Sequence, residues 1–387
     1  QSETLSRAAR MMLMMSSTRT TTKTTATKTA LKTLATRTSS APARVARARA
    51  SSSSSSADGD DNKGGLASPA AFNAAAVACA AVTMPTLVYP TTLVRDGLGL
   101  ECATPLAGEV FETIESTSHF ANAFGADAFA VIALAALYTL SDAAANSRLK
   151  SETYQRLALA VVLYTGSLCV AFDGAYLAHA AGVVDGPAPN AVTAAAITGA
   201  FLPAFVTSIS AIRTYGPGHD ATWARFGADL ALVKNLGDRT EQGGYLELFY
   251  KVSFWTSMVV GGSFAFSPLS PLAIVNESAN VSAQLVQRSF GLSTVFMLAP
   301  AQMVLTDACR RGRLGGGTFK KLNLSIAVAI ALIDWMTIYT FGEVVKLNPS
   351  AEQLSTASGG MENYVAALSV SFSIAAVYLY QGVFAKK

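Results

Sequence analysis

LSDAAANSRLKSETYQRLALAV (Leu140–Val161) and LTDACRRGRLGGGTFKKLNLSI (Leu305–Ile326) align without a gap at an offset of 165 residues, with 8 identities in 22 positions. Composition alone would give roughly one or two. Ser/Thr, Tyr/Phe, Arg/Lys and Val/Ile pairs add four conservative matches. Each copy is a short, basic, polar segment set between long apolar runs. The spacing predicts an internal duplication, and the flanking runs say of what kind.

Working outward, apolar runs of about 20 residues, the length needed to cross a bilayer, occur near 68–92, 120–141, 157–181, 191–212, 249–270, 289–308, 322–343 and 363–384. The chain has 387 residues, 51% hydrophobic and 14% charged, with a mean hydropathy of +0.36. A soluble domain carries roughly 25% charged residues, so a soluble enzyme is excluded. The fold class expected is all-α: a polytopic integral membrane protein of about eight transmembrane helices, arranged as two parallel four-helix repeats. The expected division is 67–215 for the first repeat, 216–247 for an interfacial connecting loop and 248–387 for the second. An even number of spans per half gives both halves the same orientation.

Loop charge gives a separate test. With eight spans, 15 Lys/Arg from Arg148 to Lys387 fall on one side, against Arg95, Arg288 and Lys346 on the other. That asymmetry follows the positive-inside bias and puts both termini on the basic side.

Residues 1–57 carry ten Lys/Arg against one acid, Glu3, and the stretch from Met11 to Ala57 is acid-free and rich in Thr, Ser and Ala. This is the composition of a cleaved, disordered transit peptide, followed by a linker over 58–66. The Thr/Ser richness points to a chloroplast membrane, envelope or thylakoid, with the mitochondrial inner membrane as the alternative. The basic side is then the stroma. Beyond the leader, 19 basic residues face 24 acidic ones, so no nucleic-acid partner is implied. The lipid bilayer is the evident partner, together with either a small solute or another membrane protein.

Carboxylates within spans are costly and suggest function. Asp173 lies ~24 Å and Asp334 ~18 Å from the basic side at 1.5 Å per residue. Under the repeat Asp334 maps onto Cys169, one helical turn from Asp173, so both acids are expected to face the bundle interior as ligand or proton-handling groups. Asp127 and His179 are expected nearer the opposite interface. Asp142 and Asp307 each end a helix, where the macrodipole disfavours a carboxylate. Arg148 and Arg313, six residues on, are the expected partners in two loop charge pairs.

In the connecting loop, Trp223, Phe226, Leu230 and Val233 fall at helical spacing, as in a helix lying on a membrane surface. Cys79, Cys102, Cys169 and Cys309 and three histidines are scattered, so neither a metal site nor a disulfide framework is expected. No catalytic motif or cofactor signature is present. The residues point to a secondary transporter of a plastid membrane. The alternative is a non-catalytic scaffold or assembly factor, whose carboxylates serve only helix packing.

Overall fold

A computed structural model describes residues 65–100, 110–217, 219–238, 240–266, 281–346 and 361–385. The leader, the linker up to residue 64, Cys102 and the last two lysines lie outside the described residues. Among the described residues every regular element is helical. In chain order they are α1 (Pro69–Val88), α2 (Val110–Ala145), α3 (Glu152–Ala180), α4 (Ala191–Tyr215), α5 (His219–Lys234), α6 (Gly244–Phe266), α7 (Val281–Ser293), α8 (Ala299–Arg310), α9 (Gly317–Lys346) and α10 (Met361–Phe384). A π-helical segment, Thr294–Leu298, joins α7 to α8, making one rod of 30 residues.

Local chemistry sets several helix starts. Ser68 accepts from the Ala71 amide at 3.2 Å with Pro69 at the first helical position, a favourable N-terminus. Asn190 does the same for α4 through the Thr193 amide at 2.8 Å. Several hydroxyls inside the apolar helices are satisfied by their own helix: Thr83, Thr139, Thr165, Thr306 and Thr340 each donate to the carbonyl four residues back. That local bond lets Thr sit in an apolar span without an unpaired donor.

Among the described residues seven helices are long and apolar enough to cross a membrane: α1, α3, α4, the α7–α8 rod, and the parts of α2, α9 and α10 over Phe120–Ala145, Gly317–Gly342 and Val365–Phe384. The fifth expected span coincides with α6, which is not among those seven. Its 23 residues are long enough, but Glu247, Lys251 and several Ser and Thr dilute its apolar character.

Two helices form the centre. The apolar window of α2 is 72% buried and that of the rod 78%, against 11% for α10. α1 packs on α2 and α4, and α3 on α4; α6 packs on the rod, and α9 on α10. Between these groups, α2 meets the rod, α3 crosses to the rod, and α9 crosses to α2. Gly291 and Gly261 mark the α6–α7 crossing: a Cβ on Gly291 would land on the Ala265 amide and the Gly261 carbonyl. Such close approach is what small residues allow in membrane helices.

The two turns recognised in the sequence have the same backbone. Asn146 N bonds to Asp142 O at 3.1 Å, Arg148 N to Ala143 O at 2.7 Å and Ser151 N to Arg148 O at 2.9 Å. Arg311 N bonds to Asp307 O at 3.1 Å, Arg313 N to Ala308 O at 2.8 Å and Gly316 N to Arg313 O at 3.0 Å. Each pair is displaced by the same 165 residues.

α5 forms within the connecting segment where the amphipathic spacing predicts it. Val233 is buried with Phe254, Ala299 and Met303, and Leu230 packs against that cluster. The side chains of Trp223 and Phe226 lie outside the described residues.

Candidate functional site

Asp173 on α3 accepts from Thr198 Oγ1 of α4 at 2.8 Å. Asp334 on α9 accepts from Ser371 Oγ of α10 at 2.6 Å through Oδ1. The two carboxyls thus have equivalent settings, each held by a hydroxyl of the next helix. Each carboxyl bonds its own neighbouring helix, and no bond joins the two. Asp334 is 2% exposed and its Oδ2 is buried without a hydrogen-bond partner.

Asp127 on α2 lies among packed helices. Its Oδ2 is buried and unpartnered, and with Tyr164 and Ser289 it lines a cavity of about 20 Å³ between α2, α3, α4 and α7. That is room for one water molecule. Ser289 Oγ is also buried without a partner, so the cavity has the polar lining a water requires.

At the basic end, Asp307 is the hub of a charge network. Its carboxylate receives Arg156 of α3 at 2.9 Å and Arg311 at 2.9 Å, with Arg313 further off at 3.5 Å. Arg156 also bonds Asp229 of α5 at 2.6 Å. Glu152 lies 3.4 Å from both Arg225 and Arg311. One buried guanidinium therefore ties α3, α5 and α8 together. Burial raises the Asp229 carboxyl above its usual range despite Arg156, and the neighbouring Asp307 and Glu152 charges push the same way.

The expected Asp142–Arg148 pair does not form. Asp142 is exposed and its carboxylate accepts from the Asn146 side chain at 3.3 Å. The residue following each helix explains the difference. Asn146 offers a neutral amide to Asp142, whereas the equivalent Arg311 offers a cation to Asp307. Arg156 went unnoticed in the sequence because its partners lie 73 and 151 residues away.

A second buried pair anchors the connector to α6. Glu247 and Lys251 lie 2.9 Å apart, both with fully buried side chains. Lys251 donates to the Asn235 and Asp238 carbonyls, and Glu247 accepts from the Thr240 amide and hydroxyl at 3.0 and 2.8 Å. A buried charge pair of this kind is tolerated when hydrogen bonds complete it. Among the described residues no cluster of three His, Cys, Asp or Glu is arranged to hold a metal ion.

These features define a class: a helical protein apolar enough to span a membrane several times, with carboxyls inside its helices and a charge network at one end. No protein family, curated protein or solved structure matches the chain.

Proposed function

We propose that the chain is an eight-span plastid membrane protein, two parallel four-span halves with both termini toward the stroma, working as a secondary transporter. One observation carries the transport reading. Asp173 and Asp334 occupy equivalent helices, each bound to one hydroxyl of the next helix, and Asp334 keeps a buried oxygen unpartnered. A deeply placed carboxyl with a free oxygen is suited to take a proton or a ligand group.

The matching turn bonds and the reciprocal packing of α3 on the rod and α9 on α2 support the duplication. The acid-free leader supports the plastid address, with the mitochondrial inner membrane as its alternative; import of a tagged precursor into isolated chloroplasts and mitochondria tests it.

The transport test is the double variant Asp173→Asn, Asp334→Asn, expressed in place of the native protein and compared at matched protein level. Transport requires altered plastid solute profiles. Unchanged profiles would leave the scaffold reading, which the deep burial of α2 and the rod favours. A scaffold would comigrate with partners in native membrane complexes.

A further inference from the structure

The two duplicated turns line a single cavity of about 540 Å³ at the basic end. Arg148, Lys150, Ser151 and Tyr154 come from the first turn and the start of α3; Arg313 and Thr318 come from the second turn and the start of α9. The Tyr154 and Thr318 hydroxyls lie 3.3 Å apart, so the two halves meet inside it.

Three cations are gathered there and no carboxylate is among the lining residues. Arg148 and Lys150 have no ion-pair partner among the described residues, and Arg313 has only the long 3.5 Å approach to Asp307. Asp307 is already bound by Arg156 and Arg311, and Glu152 is engaged by Arg156, Arg225 and Arg311. All three are exposed, so water screens their mutual repulsion, and an anion seated among them would relieve what remains of it.

Two long helices add to the same field. α3, of 29 residues, and α9, of 30, both begin at this cavity. Ser151, in the N-cap position of α3, makes no capping bond with its side chain. The first-turn amides at Glu152, Thr153, Gly317 and Thr318 have no hydrogen-bond partner among the described residues. Free first-turn amides and the positive dipole end both favour an anion.

We propose that this cavity binds a phosphate-bearing anion. Arg148 and Arg313 act as the paired guanidinium donors, Lys150 as a third charge, and the hydroxyls and free amides complete the oxygen shell. The volume admits an organic group beside the phosphate, so a soluble phosphate ester and the phosphate headgroup of a membrane lipid share the recognised chemistry. The site lies at the face of the bundle and does not rest on the transport reading.

The test uses the full chain in nanodiscs, with thermal unfolding as the readout. In phosphatidylcholine discs, inorganic phosphate is titrated against chloride at matched ionic strength. In a second arm, phosphatidylglycerol is added to the discs. The comparison protein is Arg148→Gln, Arg313→Gln, with Lys234→Gln as a charge control. The substitutions remove little structural support, since Arg148 has no ion pair among the described residues and Arg313 gives up only its 3.5 Å approach to Asp307, which keeps Arg156 and Arg311. The double variant should therefore melt like the parent in phosphatidylcholine and chloride.

A stabilisation by inorganic phosphate that needs at least tenfold more phosphate in the double variant, and is kept by Lys234→Gln, supports a soluble ligand. Stabilisation only by phosphatidylglycerol, lost in the double variant, supports a lipid headgroup. No stabilisation beyond chloride in either arm, or one that the double variant retains, overturns the proposal.

Discussion

Ser147 and Gly312 hold the same left-handed position after α2 and α8, with φ of 53° and 62°. Such a backbone suits glycine after a helix and costs an L side chain roughly 1–2 kcal/mol. Ser147→Gly should therefore raise the melting temperature of the purified protein, and Gly312→Ser should lower it by an effect of about 1 kcal/mol. Equal signs for the two substitutions would mean that the turns are not equivalent. The pair Glu247 and Lys251 carries a larger stake. Lys251→Met leaves a buried carboxylate without its cation, an expected loss of about 3–5 kcal/mol. Adding Glu247→Gln should recover part of that loss, which a double-mutant cycle of denaturation energies would measure. Of these residues, the aligned turn is legible in the sequence, because a turn's hydrogen bonds are local. The Glu247 and Lys251 environment is not, since their i, i+4 spacing reads equally well as an exposed pair.

Each of the eight apolar runs corresponds to an observed helix, because a run of about 20 apolar residues admits few alternatives in lipid. What escaped the pattern is how those helices deviate. The rod widens into a π segment at Thr294–Leu298 shortly before Pro300, which has no amide to bond the carbonyl of Phe296. A register change there accommodates the missing donor. Nor does the pattern say which helix supplies the partners of Asp173 and Asp334, the hydroxyls of Thr198 and Ser371. Helical spacing places two residues on one face, but the neighbour covering that face is set by packing. The α6–α7 crossing carries the sharpest element-scale expectation. Gly291→Ala forces two backbones apart, so it should destabilise by about 1–3 kcal/mol, well beyond the same change at Gly262, where nothing lies within 4 Å of an added Cβ. Urea or thermal unfolding of the two variants side by side measures the contrast.

At the scale of the molecule, the question is whether α6 crosses the bilayer, since it is not among the seven apolar helices. The two ends of the bundle argue for a crossing. At one end Ser282, beginning the rod, donates to the Leu98 carbonyl at 2.7 Å and its amide to Pro187 at 3.1 Å, near the connection between α3 and α4. At the other end Arg156 reaches Asp307, Tyr154 meets Thr318, and Lys320 reaches the Val383 carbonyl at 3.3 Å near the end of α10. The rod therefore runs from one end to the other. α6 starts beside its far end, where Cys309 Sγ lies 3.7 Å from the Gly243 carbonyl, and passes Gly291 near its beginning. If α6 stayed on one side, the two duplicated turns would lie in opposite compartments; the eight-span arrangement proposed above keeps both turns, with their Tyr154–Thr318 contact, on one side. Cysteines introduced at Lys150, Gly317 and Val183, in a chain carrying Cys102→Ser, provide the check in vesicles of known orientation. An impermeant maleimide should label Lys150→Cys and Gly317→Cys from the same side and Val183→Cys, exposed between α3 and α4, only from the other. Labelling of Lys150→Cys and Gly317→Cys from opposite sides would require seven crossings and would break the parallel duplication with it.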